Sequence, residues 1–250
     1  MKIKKILPLA ALALALAGTS CKDETATLRV RLTDAPADYE ALYIDVQELQ
    51  INSDANGWES LALERPGIYN LLDFTNGLDT LLADAELPAG RVSQMRLVLG
   101  DENTLVRDGQ THDLGTPSAQ TSGLKFNIQA DFEAGVAYEL WIDFDAARSI
   151  IEKGNGGYSL KPVIRTFTQA TSGAIQGNVA PAAAQPHVMA IAGADTLGTI
   201  ADPDGHFLIR GVPAGSYSVT FTPAEGYEAK TVEGVSVTDG QATDMGTLQW

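Results

Sequence analysis

One cysteine and three histidines in 250 residues leave little of the equipment on which catalysis most often rests. Cys21 alone cannot close an intramolecular disulfide, so packed cores must hold the fold. A Ser–His–Asp hydrolase needs a histidine within hydrogen-bond reach of a nucleophile. His112 lies in the turn-like GQTHDL, His187 follows an Ala/Pro stretch and His206 follows DPDG, so each reads as a solvated loop or edge residue. No HExxH, Walker-type loop or dinucleotide glycine pattern occurs. Basic residues are scarce too, with 17 Lys and Arg against 32 Asp and Glu and a formal net charge of −15. Such a chain repels phosphate backbones and anionic headgroups, which argues against nucleic-acid binding and polybasic membrane contact. After residue 20 no apolar run is long enough to span a bilayer.

What is present begins with MKIKK and the apolar ILPLAALALALAG, which has the dimensions of a secretory signal rather than a spanning helix. Gly18, Thr19 and Ser20 before Cys21 resemble the lipobox of bacterial lipoproteins, in which the sulfur is acylated and the chain is cut just before the cysteine. The usual leucine three residues before the cysteine is Gly18 here, as in the looser signals of Bacteroidetes. The resemblance implies a signal peptide over residues 1–20, lipid on Cys21 and an acidic tether over residues 21–26. A plain signal peptide that leaves a free thiol is the alternative. Lys22, Asp23 and Glu24 resemble the lysine-plus-acidic export signal that sends some Bacteroidetes lipoproteins to the cell surface. The expected location is the outer membrane, on its periplasmic or its surface face, with the membrane reached through the N-terminal lipid. Without residues 1–20 the chain keeps 14 basic and 32 acidic residues, a net charge of −18.

Length favours two domains. The seam falls in TFTQATSGAIQGNV, where a β-rich segment gives way to Gly, Ala, Thr and Val, and the boundary is placed near Thr171. In TLRVRLTDAP, Leu28, Val30 and Leu32 alternate with Arg29 and Arg31, the period of a strand with one wet face. YEALYIDVQELQI puts Leu42, Ile44 and Val46 on one face and changes phase before Leu49 and Ile51, which predicts a bulge near Gln47. Asn56-Gly57 predicts a hairpin turn. Strands follow at RVSQMRLVLG, LKFNIQADF, VAYELWIDFD and SLKPVIRTF. Helices are expected only at GLDTLLADAEL and at DAARSIIEKG, the latter closing on Gly154.

The ordered blocks VRLTDAPADYEALYIDVQELQI, YNLLDFTNG, LPAGRVSQMRLVLG, WIDFDAARSI and YSLKPVIR resemble a bacterial lipoprotein domain of unknown function, the family numbered 4382. The order DPDGHFLIRGVPAGSYSVTF, GY, GVSVTDGQ resembles the carboxypeptidase regulatory-like domain, which implies a seven-stranded sandwich of transthyretin-like topology without catalysis of its own. The turn Asp204-Gly205, with Phe207, Ile209, Tyr217, Val219 and Phe221 on one face, fits that expectation from the residues alone. APAAAQPH departs from the family's usual polar turn. The expected architecture is all-β: two antiparallel β-sandwiches over residues 27–170 and 171–250, the first with short helical connections.

Candidate ligand contacts are few. Asp143 and Asp145 flank Phe144, so on a strand both project from one face beside Trp141. The same pattern predicts Asp145 as the N-cap of the following helix. ADPDG lacks the further oxygens and closing glutamate of an EF-hand, so no cofactor motif is present, and calcium would need carboxylates gathered in three dimensions. Trp58 and Trp141 read as core, and Trp250 as the tryptophan most exposed. The residues thus favour a non-catalytic binding or scaffolding protein of the envelope, its ligand a glycan or an envelope protein, with Trp141, Asp143, Asp145 and Trp250 as contacts. The alternative is a carboxylate-based or calcium-dependent glycan-active enzyme using Asp143, Asp145 or Asp73. Buried carboxylates lining a pocket would favour that alternative.

Overall fold

The computed structural model describes residues 25–116, 122–154 and 156–250. Cys21, Lys22, Asp23 and Glu24 lie outside the described residues, as does the signal segment.

The first unit runs through β1 (Thr25–Ala35), β2 (Ala41–Ser53), β3 (Gly57–Leu61), β4 (Gly67–Asn70), β5 (Thr80–Pro88), β6 (Gly90–Leu99), β7 (Thr104–Arg107) and β8 (Gln110–Gly115). It continues with β9 (Leu124–Phe132), β10 (Ala137–Asp145), the single-turn helix α1 (Ala146–Ser149), β11 (Ile150–Glu152), β12 (Tyr158–Leu160) and β13 (Ile164–Phe167). One sheet has the order β13-β10-β1-β5; the other has β11-β12-β8-β7-β2-β6-β9, with β3 and β4 both on β2. Leu28, Val30, Leu32, Ile142 and Phe144 of the first sheet and Ile44, Val46, Leu49, Met95 and Leu97 of the second share one buried core. Removing such side chains from water stabilises the sandwich by about 1.5–3 kcal/mol each.

The phase change in β2 is a bulge as expected: pairing with β6 shifts between Val46 and Glu48, which leaves Gln47 as the extra residue and keeps both apolar runs on the core face. Two strand pairs in this unit are parallel, β1 with β10 and β12 with β8.

Both expected helices are corrected. GLDTLLADAEL forms β5 from Thr80 onward, antiparallel to β1 with a register shift between Val30 and Arg31. That irregularity buries the neighbours Leu82 and Ala83 and then Leu87, a spacing that imitates a helix. DAARSIIEKG is helical only over α1, because the β-branched Ile150 and Ile151 pair with Leu160 and Ser159 as β11. The expected cap holds: the Asp145 carboxylate accepts from the Arg148 N–H at 2.9 Å.

The second unit has seven strands: β14 (Gly173–Ala180), β15 (His187–Ala192), β16 (Asp195–Ile200), β17 (His206–Val212), β18 (Gly215–Thr222), β19 (Lys230–Val237) and β20 (Ala242–Gln249). They form two sheets, β17-β14-β20 and β16-β15-β18-β19, around a core separate from the first. Phe207, Ile209, Tyr217, Val219 and Phe221 are buried, and Phe207 meets Phe221 edge to face at 5.4 Å. ADPDG is a turn: Asp202 Oδ1 accepts from the N–H groups of Asp204 (3.0 Å) and His206 (2.9 Å), and Gly205 takes φ +85°. The histidines lie on strands: His206 opens β17, at a sheet edge as expected, whereas His112 lies on β8 against Tyr158 (4.8 Å) and His187 opens β15, both inside their sheets.

Candidate functional site

The two units are joined by more than chain connectivity. The segment Thr75–Asp79, between a short 3-10 turn (Leu71–Phe74) and β5, reaches into the second unit. Asn76 has φ +54°, a left-handed conformation that asparagine tolerates better than most residues. Its Oδ1 accepts from Leu208 N at 2.8 Å and from Thr199 Oγ1 at 3.3 Å, while its Nδ2 donates to His206 O at 3.1 Å. The side-chain amide therefore takes the place of a neighbouring strand's peptide group along the edge of β17. Next to it, Gly77 O accepts from Arg210 Nε at 3.0 Å. A Cβ on Gly77 would sit 2.4 Å from Leu208, so only glycine fits that approach.

A second clamp comes from β13. Arg165 donates through Nη1 to Gly211 O (2.6 Å) and through Nη2 to Arg210 O (3.1 Å), and its Nε donates to Asp143 Oδ2 (2.5 Å). Phe167, on the same strand, stacks parallel on Trp141 at 5.5 Å and lies where a Gly211 Cβ would be. Asp79 ties this layer together, accepting from Trp141 Nε1 at 3.0 Å and pairing with Arg31 at 2.6 Å.

Beside these clamps a cleft of about 990 Å³ opens between the units. Thr33, Asp34, Asp38, Asp143, Asp145 and Arg148 line it from the first unit, and His187, Asp195, Thr199, Arg210 and Tyr217 from the second. Asp38 and His187 face each other across it at 3.7 Å. The parallel pairing of β1 with β10 explains the carboxylates: Thr33 lies beside Asp143, Asp34 beside Phe144 and Ala35 beside Asp145, at the ends of both strands. Asp34 and Asp143 are almost fully buried, and among the described residues Asp34 Oδ2 and Asp143 Oδ1 have no hydrogen-bond partner.

Burial pushes the Asp34 carboxyl well above the usual carboxylate range; the bond that Oδ1 accepts from Ala146 N (3.0 Å) opposes this, and the charges of Asp143 and Asp145 add to it. Burial also raises Asp143, and it outweighs the Arg165 guanidinium, which pulls the other way. Tyr217 is raised by burial too. The cleft is thus a mixed polar surface with acceptors and donors on both walls. Among the described residues no group of three or more His, Cys, Asp or Glu is arranged to hold a metal ion. No helix among them is long and apolar enough to cross a membrane.

The candidate residues fall in different places. Asp143 and Asp145 reach the cleft, on one face of β10 as expected. Trp141 lies on the same face but is 5% exposed, stacked and hydrogen-bonded, so it packs the interface rather than offering a ring to a ligand. Trp250, expected to be the most exposed tryptophan, is half-buried: it packs on the second core and donates from Nε1 to Glu228 O at 2.6 Å. Trp58, read as core, is the exposed one. Asp73 lies outside the cleft and accepts from Asn70 Nδ2 at 2.8 Å. Asn76, Asp34 and Arg165 were missed, since each gains its role from a partner far along the chain. TDAP and FTNG, each a turn signal after an apolar run, were the available hints for Asp34 and Asn76.

Two packed β-sandwiches with a polar seam define an all-β, two-unit protein. Residues 25–162 match the family model described as Domain of unknown function (DUF4382), and the chain belongs to that family. Residues 174–249 match the model of the carboxypeptidase regulatory-like domain. None of the curated proteins matches. Among solved structures the chain is similar to a type II cohesin–X-dockerin complex from Acetivibrio cellulolyticus, at 24% identity over 30% of this chain and 51% of that one, with a TM-score of 0.24. It is also similar to a fimbrial protein from Bacteroides ovatus, at 9% identity over 91% of this chain and 50% of that one, with a TM-score of 0.23. The match thus spans about half the length of each of these chains.

Proposed function

We propose that this protein is an exported, lipid-anchored envelope protein that binds a glycan, without catalysis, in the cleft between its two sandwiches. The observation that carries the reading is the cleft wall, where acceptors (Asp38, Asp145, Asp195) and donors (Arg148, His187) face a volume of about 990 Å³. A polyhydroxylated ligand both donates and accepts, so it satisfies such a surface, whereas an apolar ligand would strand it. The anchor and surface location rest on Cys21 and on Lys22, Asp23 and Glu24. Radiolabelled palmitate on wild type beside Cys21→Ala, with protease shaving of intact cells, tests both.

The binding test uses the full chain in detergent against a panel of oligosaccharides. Saturable binding weakened by Asp38→Asn and Asp195→Asn is the expected result. Absence of any glycan ligand, or binding that ignores both substitutions, overturns the reading.

A glycan-active enzyme is the second reading, favoured by Asp34 and Asp143, two buried carboxyls with raised proton affinity on one cleft. Release of new reducing ends from a bound glycan, abolished by Asp143→Asn, would establish it in place of simple binding.

A further inference from the structure

Trp58 lies on the outer face of the larger sheet, away from the cleft, and is 36% exposed. Register places it in a row of polar side chains that crosses four strands: Trp58 beside Asn52, Asn52 beside Gln94, and Gln94 beside Asn127. The adjacent row reads Ser60, Gln50, Arg96, Lys125. The Arg96 guanidinium lies 4.2 Å from the Trp58 ring centroid and the Lys125 ammonium 5.9 Å from it. Arg96 is held in place: Nη1 donates to Gln50 Oε1 at 2.9 Å, and Gly123, at φ +66°, lies so close to its stem that a Cβ there would be 2.4 Å from Arg96 Cγ.

Two like charges directly opposite each other on neighbouring strands repel. Among the described residues neither Arg96 nor Lys125 has a carboxylate within ion-pair distance. Glu48, one row away, accepts from Ser60 and Gln50, whose hydrogen bonds hold its carboxyl below the usual range, and the nearby Arg96 charge adds to that lowering. In a chain of net charge −15, this cationic pair beside an exposed indole, offset only in part by Glu48, is a local reversal of sign.

We propose that this face docks an acidic polysaccharide. A pyranose ring packs on the free part of Trp58, its carboxylate lies against Arg96 and Lys125, and the amides of Asn52, Gln94 and Asn127 bond the hydroxyls of neighbouring residues along the row. The complementarity of charge selects an acidic chain over a neutral one, and the indole selects a ring-bearing polymer over a simple anion. The surface is separate from the cleft, so its test does not depend on the cleft binding anything.

The test is affinity electrophoresis of the full chain in detergent through gels containing polygalacturonate or dextran. Polygalacturonate should retard the wild type and dextran should not, with retardation weakening as salt rises. Trp58→Ala should weaken binding about tenfold and Lys125→Glu by at least as much. Lys125 is fully on the surface side of β9, so its variant keeps the test valid if Trp58→Ala fails to fold. Equal retardation by dextran, no retardation at all, or loss in Lys125→Glu with none in a folded Trp58→Ala would each overturn the proposal; the last would be adsorption of any polyanion.

Discussion

The side-chain amide of Asn76 accepts from Leu208 N at 2.8 Å, across a sequence separation of 132 residues, and thereby completes the edge of a strand in the other sandwich. Asn76→Gly keeps the left-handed backbone and removes only the amide, leaving Leu208 N, His206 O and Thr199 Oγ1 short of a partner. Each buried group left unpaired costs about 1–3 kcal/mol. The expected outcome in scanning calorimetry is that the second sandwich melts earlier and separately from the first.

Arg165→Ala removes the cation from Asp143 and two donors from the carbonyls of Gly211 and Arg210. A buried charge stripped of its partner costs about 3–5 kcal/mol. Adding Asp143→Asn should recover part of that loss, and the single variant should regain stability as pH falls and Asp143 takes up a proton. Urea unfolding at pH 7 and pH 4 measures both effects.

Asp34 gives a pH dependence of definite sign. Its carboxyl binds a proton more tightly in the folded protein than in the unfolded chain, so the folded state is penalised once pH exceeds the unfolded value, and the penalty grows until the folded group ionises. Below the ordinary carboxylate value of about 3.9 both states are protonated and the penalty vanishes. Asp34→Asn should therefore raise the melting temperature at pH 7 and change it much less at pH 3.5, as thermal melts at the two pH values would show.

Trp250 closes the second core from outside, between Tyr227 at 6.0 Å and the Lys230 ammonium at 5.6 Å. Because the indole is only half-buried, Trp250→Ala should cost about 2 kcal/mol, less than the loss of a fully buried aromatic. Urea unfolding followed through the second sandwich, with the first as internal reference, measures it.

Strand periodicity carried most of the architecture. Leu28, Val30 and Leu32 lie in the core because alternation is a local property, and the Gln47 bulge was visible because a phase change in β2 has no other cheap explanation. GLDTLLADAEL misled because a bulged edge strand and a helix can space leucines alike, and only pairing with β1 decides between them. The cleft was legible in part: Asp143 and Asp145 shared a face by period two, but Asp34 joins them only through a parallel pairing over a hundred residues away. Trp141 and Trp58 were ranked by residue type, and what separates them is the second sandwich, which covers the face that bears Trp141 and leaves the one that bears Trp58 open.

β1 begins at Thr25 and delivers Asp34 to the cleft nearly at its other end. Eleven extended residues at about 3.3 Å each span roughly 36 Å, more than the thickness of a lipid headgroup layer. If Cys21 carries lipid as proposed, the first strand acts as a standoff that sets its length between the end of the sandwich nearest the anchor and the residues of the cleft.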